Sequence, residues 1–188
     1  MRVELTAWAT ELAARWLVER LPRRWTHVQG VCERLRVAGP LFSVDDVDLL
    51  AAAGLVHDIG YAPDLAVTGL HALDGARYLR EVDAPERLCA LVAHHSAAHL
   101  EAGLRGLADE LASWADERTP VRDALWWADM TTSPTGEVVT FEERSAEIQQ
   151  RYEQGDVVST FIRVARPELV GAIERTEARL RAAGIDYV

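Results

Sequence analysis

The chain contains no lysine, because all 20 of its basic residues are arginine. This absence excludes a Schiff-base lysine and the lysine of a phosphate-binding loop, whose GxxxxGK[ST] motif is also missing. Two cysteines, Cys32 and Cys89, are too few for a disulfide scaffold or a thiolate metal cluster. No apolar run approaches the ~20 residues that a membrane span needs, and the first residues lack the layout of a signal peptide. We therefore expect a cytoplasmic protein that has no membrane partner.

Basic residues are also outnumbered by acidic ones. Thirty acidic against twenty basic residues give a formal net charge of −10, which is the wrong sign for a protein that grips phosphate backbones. We therefore expect no nucleic acid polymer as a partner. Hydrophobic residues at 49% and charged residues at 27% are ordinary for a folded globular chain.

Apolar residues recur at helical spacing along most of the chain, without strand-like alternation of useful length. This pattern predicts an all-α bundle of about seven to nine helices, the first over residues 4–20, and a short extended piece at residues 137–140. We expect one domain over residues 1–188, with a core at about 20–135 and a C-terminal helical extension at about 137–188. Capping residues and prolines predict where the other helices begin: Pro22, Ser43, Thr68 or Gly69, Asp83, Thr119 and Pro167.

The six histidines lie at positions 27, 57, 71, 94, 95 and 99, and none follows residue 99. Imidazole nitrogen binds zinc, iron, nickel and copper well, and carboxylate oxygen can bridge two ions. His57-Asp58 follows an apolar run, as do His94-His95 and Asp129, so these polar side chains leave buried helices at their last turns. Each of these residues taken alone is typical of an ordinary helix end.

Together, His27, then His57-Asp58, then Asp129 resemble the H…HD…D pattern of the HD-domain metal-dependent phosphohydrolase superfamily. The resemblance covers about 100 of the 188 residues and implies an all-α fold. It implies a first divalent ion on His27, His57, Asp58 and Asp129. Asp58 would bridge to a second ion held by His71 and by His94, His95 or both, with His94 favoured and His95 then free to bind substrate. Iron, manganese, nickel, cobalt and zinc suit these ligands, and iron or manganese is favoured, as one or two ions.

The resemblance further implies a phosphomonoesterase, phosphodiesterase or pyrophosphohydrolase, in which a metal-activated water cleaves a nucleotide or another small phosphate ester. Asp58, Asp74 and Arg24 are the candidate catalytic residues, since Asp74 lies one helical turn after His71 and could orient it or relay a proton. Solvent exposure is the other interpretation of Asp74. The candidate phosphate contacts are Arg23, Arg24 and Arg77.

Two other functions stay open. HD-type di-iron oxygenases share this ligand set, but the resemblance implies a substrate-binding lysine that this chain lacks. A non-catalytic regulator that binds a metal or a nucleotide would take its output from the C-terminal helices. A homodimer could form through the amphipathic first and last helices around Trp8 and Trp16, although these tryptophans suit a role in covering the chain's own core.

Overall fold

The computed structural model describes residues 5–151, 153 and 155–187, and these form ten α-helices. The prediction of an all-α fold is confirmed, and the predicted helix start at residue 4 lies outside the described residues. The predicted extended piece is reduced to one isolated bridge between Thr132 and Val138. The helices are α1 (Leu5–Leu17), α2 (Pro22–Ala38), α3 (Val44–Val56), α4 (His71–Glu81), α5 (Glu86–Ala93), α6 (Ala98–Arg105), α7 (Ala108–Leu111), α8 (Pro120–Met130), α9 (Phe141–Arg151) and α10 (Val157–Ala182).

Three of the predicted helix starts are confirmed, two of them by a capping hydrogen bond. Pro22 occupies the first turn of α2, where its missing N–H costs nothing. The Ser43 hydroxyl accepts the Asp46 N–H at 3.2 Å at the start of α3, and the Thr119 hydroxyl accepts the Arg122 N–H at 3.5 Å at the start of α8. Side-chain acceptors of this kind satisfy N–H groups that the first helical turn leaves without partners.

Two of the predicted starts are wrong. Asp83 has a positive φ of 57°, and α5 begins at Glu86 without a side-chain cap. Pro167 does not begin the last helix but lies inside α10. That helix begins instead after Asp156, whose side chain accepts the Val158 N–H at 2.8 Å, and packing of its apolar face against α6 and α8 compensates for the hydrogen bond lost at the proline.

The core is built around α8, which is buried from Val121 to Met130, and around the second half of α3. Every residue from 49 to 56 is buried, so the end of α3 opens into the interior rather than into solvent. Helix α3 packs on α1 and α2, while α10 lies across α8 and α6. Trp8 and Trp16 are partly buried against the chain's own core. Among the described helices, none combines the length and apolar character that crossing a membrane requires.

Candidate metal centre

Six predicted ligands meet in the interior because the helices that carry them converge there. His57 and Asp58 follow α3, His95 follows α5, and His71 begins α4. His27 lies in α2, and Asp129 lies in the last turn of α8. These side chains form two groups of three. Within each group, the ligand atoms all lie within 4.8 Å of one another. The first group is His27, His57 and Asp129, and the second is Asp58, His71 and His95.

The distances show that Asp58 lies between the two groups. In the first, Asp129 Oδ1 is 3.0 Å from His27 Nε2 and 3.6 Å from His57 Nε2. In the second, His71 Nε2 is 3.0 Å from His95 Nε2 and 3.5 Å from Asp58 Oδ1. The same Asp58 oxygen lies 3.7 Å from His57 Nε2. One carboxylate therefore faces both groups, as the bridging role requires.

Backbone carbonyls fix which nitrogen of three histidines faces the centre. The Nδ1 atoms of His27, His57 and His95 lie 3.0, 2.9 and 2.6 Å from the carbonyls of Ser133, Gly54 and Val92. Because a carbonyl only accepts, each Nδ1 donates its proton, and each ring in its neutral form presents an unprotonated Nε2. Such contacts orient the histidines of metal sites.

The residues fit a divalent metal. His57 Nε2 is fully buried and has no hydrogen-bond partner among the described residues, although buried polar atoms are normally paired. His71 and His95 turn Nε2 atoms toward each other at 3.0 Å, an arrangement that a cation between nitrogen and carboxylate ligands would satisfy. Four imidazoles and two carboxylates form a mixed ligand set that suits first-row transition metals.

The charges in the centre also favour this assignment. Burial raises the pKa of both Asp58 and Asp129, but Arg24 beside Asp58 and His57 beside Asp129 outweigh burial and hold both pKa values well below the usual range. Burial lowers the pKa of His71 and of His95, leaving these rings neutral. For His57, burial also lowers the pKa, yet Asp58 and Asp129 together raise it to about 9. Two anionic carboxylates and two neutral imidazoles are the forms that bind a metal.

The preference for His94 over His95 as a ligand is wrong. His94 turns away from the centre, where its Nε2 lies 2.8 Å from the Trp114 carbonyl. Its own carbonyl accepts the indole N–H of Trp126 at 2.9 Å. Helix α5 ends at Ala93, and of the two histidines that follow it only His95 reaches the second group.

Two further predicted site residues also lie outside the centre. Arg77 pairs with Glu110 at the surface. Asp74 is buried, but its carboxylate accepts the N–H groups of Val67 and Thr68 at about 3.0 Å. It therefore fixes the loop before α4, which begins at His71 rather than at Thr68 or Gly69. The expectation of a proton relay or of solvent exposure at Asp74 is replaced by this structural role.

The two remaining arginines lie beside the centre. Arg24 donates to Asp58 Oδ2, and its guanidinium lies 3.4 Å from the centroid of the Tyr61 ring. That ring stacks on the His71 imidazole with a centroid distance of 3.9 Å. Arg23 is exposed on the same helix and lines a cavity next to His27.

Sequence reasoning missed several residues of the site. Ser96 donates its hydroxyl to Asp129 Oδ2 from a strained backbone with φ 45°, and no motif in the sequence marks it. A cavity of about 70 Å³ opens onto the centre, and α9 and α10 form part of its wall. The wall residues from these helices are Arg144, Ile148, Arg151, Val158, Phe161 and Ile162.

Comparison with known proteins agrees with this geometry. A family model described as the HD domain matches residues 24–125, just over half of the chain. No curated protein and no solved structure gives a significant match. The matched segment contains five of the six grouped residues, and Asp129 lies four residues beyond it.

Proposed function

The chain belongs to the HD domain family, and we propose that it is a metal-dependent phosphohydrolase that cleaves a small phosphate ester, with a nucleotide as the favoured class. One observation carries the proposal. Asp58 of the second ligand group also lies beside His57 of the first, and both groups border a cavity that arginines line. Guanidinium groups recognise phosphate oxygens with charge and with paired hydrogen bonds.

His27, His57, Asp58 and Asp129 would hold one ion, and Asp58, His71 and His95 a second. Ions bound there supply a hydroxide at neutral pH and neutralise charge on the phosphoryl oxygens. The chain's own residues prepare this site. The carbonyls of Ser133, Gly54 and Val92 accept hydrogen bonds that fix the orientation of three imidazole rings. These rings belong to His27, His57 and His95. Arg24 and Ser96 donate to the carboxylates of Asp58 and Asp129 respectively, which restricts how these ligands rotate.

The cavity selects for a small ester group. The cavity wall combines the charged groups of the ligands and the arginines with apolar side chains, which are those of Met130, Ile148, Val158, Phe161 and Ile162. A substrate with a phosphate and an apolar or aromatic body fits this combination, because each part meets groups of its own kind. These apolar side chains also limit the access of water to the reacting phosphate.

Elemental analysis and phosphate release test the proposal together. We expect close to two ions per chain, dominated by iron or manganese, in protein purified without chelator, and phosphate release from a panel of nucleoside phosphates. His57→Gln removes one ligand and should abolish both metal binding and phosphate release. His99→Gln is the matched control, because His99 lies outside both groups, 3.3 Å from Glu168.

Each contrary result has its own meaning. Protein that neither holds nor takes up metal would exclude the catalytic proposal. Bound iron with product formed only in the presence of oxygen would replace it with an oxygenase. Nucleotide binding without turnover in metal-loaded protein would favour a regulator.

A further inference from the structure

A second cavity, which we call the arginine cavity, lies beside the metal centre. Its volume is about 120 Å³, and within the described ranges no carboxylate lines it. Two of its arginines come from α2 and two from α9, where their spacing of seven residues places them on one helix face. The lining residues are Arg23, Arg24, His27, Pro134, Arg144 and Arg151.

Arg144 is the most informative of these residues, because it is 6% exposed and still carries its charge. One of its terminal nitrogens donates to Glu147 at 2.7 Å, while its Nε is buried without a partner among the described residues. Glu147 also accepts from Arg151 at 2.9 Å, so this one carboxylate serves both arginines. A buried charge with an unfilled donor is costly, and an anion in the cavity would lower that cost.

Arg23 supplies a second positive group to the arginine cavity, and no described carboxylate pairs with it in competition with a bound anion. It is exposed at the rim, and it forms no ion pair with any residue that the structure describes. An arginine with no internal partner beside a buried arginine with an unfilled donor gives the cavity a positive potential.

The arginine cavity adjoins the space in front of the metal ligands. Arg24, Arg144 and Arg151 line both cavities. His27 lines the arginine cavity while its Nε2 lies 3.0 Å from Asp129 in the first ligand group. An anion held by the arginines is therefore a direct neighbour of a phosphate at the centre.

We propose that the arginine cavity binds a second phosphate, so that the substrate is a diphosphate or polyphosphate compound. This inference rests on the proposed function. Hydrolysis adds water across one phosphorus–oxygen bond: the hydroxyl joins the phosphorus at the centre, and the departing phosphate keeps the bridging oxygen and takes the proton. The arginines would stabilise the charge that develops on the departing group. Arg144 and Arg151 lie outside the segment that the family model matches, so part of this selectivity comes from α9.

Calorimetric titration of the metal-containing protein with inorganic pyrophosphate and with orthophosphate tests the subsite, and a phosphate assay of the same samples shows whether pyrophosphate is hydrolysed during the titration. We expect pyrophosphate to bind at least about tenfold more tightly, as one charge-assisted contact implies. Arg144→Gln should weaken pyrophosphate binding by a larger factor than orthophosphate binding, because Arg144 lines both cavities, and it should leave the metal content unchanged. Arg23→Gln, at an exposed position that does not endanger folding, should reduce the pyrophosphate advantage several-fold. Glu147→Gln removes the internal competitor and should tighten pyrophosphate binding.

Arg163→Gln is the matched control, since Arg163 is exposed on α10 and lines neither cavity. Equal affinity for the two anions in the wild type, or an unchanged pyrophosphate advantage in Arg23→Gln and Arg144→Gln, overturns the inference. Arginine-dependent pyrophosphate binding without hydrolysis of any phosphate ester would refute the phosphohydrolase and keep the subsite. Hydrolysis of a phosphate ester without arginine-dependent pyrophosphate binding would refute the subsite and keep the phosphohydrolase.

Discussion

The metal-free protein should lose stability between pH 6.5 and pH 9, because one buried histidine holds its proton there. Asp58 and Asp129 overcome the effect of burial and raise the pKa of His57 from 6.5 to about 9. The folded state therefore binds a proton that the unfolded chain releases across this window, and unfolding becomes easier as the pH rises. The difference between the two pKa values corresponds to about 3 kcal/mol of unfolding free energy, fully present below pH 6.5.

Metal loading should remove this pH dependence, since a metal ligand binds through its deprotonated nitrogen. The gap in stability between loaded and metal-free protein should consequently widen from pH 6.5 to pH 9. Other groups act outside the window. The lowered pKa values of His71 and His95 change the free energy of unfolding only below pH 6.5, where these rings take up protons in the unfolded chain. Burial raises the pKa of the Cys89 thiol to about 11, which acts above pH 9.

Urea unfolding at four pH values between 6.5 and 9, with and without a chelator, measures the effect. His57→Gln should flatten the curve of the metal-free protein, and His99→Gln should leave its slope intact. A metal-free wild type whose stability is constant or rises over this window would refute the reasoning, because it would show that the two carboxylates do not hold a proton on His57.

Two further predictions concern the supports of the ligands. A Cβ at Gly60 would lie 2.0 Å from the carbonyl of His71, so Gly60→Ala should displace α4, cost about 2 kcal/mol of stability and lower the metal content. Gly103→Ala, where nothing lies within 4 Å, should do neither, and equal metal content in the two variants would contradict the idea that this contact positions His71. Ser96→Ala removes the hydroxyl that donates to Asp129 and should weaken metal affinity at least about tenfold. Competition with a chromogenic chelator measures this, and unchanged affinity would show that Asp129 is held by other contacts.

The helical fold and most of the ligands could be predicted because their signals are local. Residues 49–56 are uniformly apolar, so the helix that they form had to be buried and had to deliver His57 and Asp58 to the interior. The starts at Ser43 and Thr119 depend on an acceptor and on the N–H groups directly after it. Capping hydrogen bonds of this kind join residues that are close in sequence, so they can be predicted without knowledge of the rest of the chain.

The errors occurred where the outcome depends on distant partners. Whether His94 or His95 faces the centre is decided by the carbonyls of Trp114 and Val92, and the former belongs to a segment 20 residues away. Pro167 is a helix breaker by local rules, yet contacts of α10 with α6 and α8 keep its helix continuous. Sequence patterns alone do not reveal these tertiary partners.

The same distinction separates chemistry from selectivity in this protein. Five of the six grouped ligands come from the segment that the HD family model matches, so membership of the family accounts for the ability to hold a metal. Part of the cavity wall that a substrate would meet comes from α9 and α10, which follow that segment. Arg144 and Phe161 line the cavity at the centre while lying more than fifteen residues beyond the match. The family match therefore concerns the residues that could hold a metal, whereas the substrate class proposed above depends partly on helices that this match does not include.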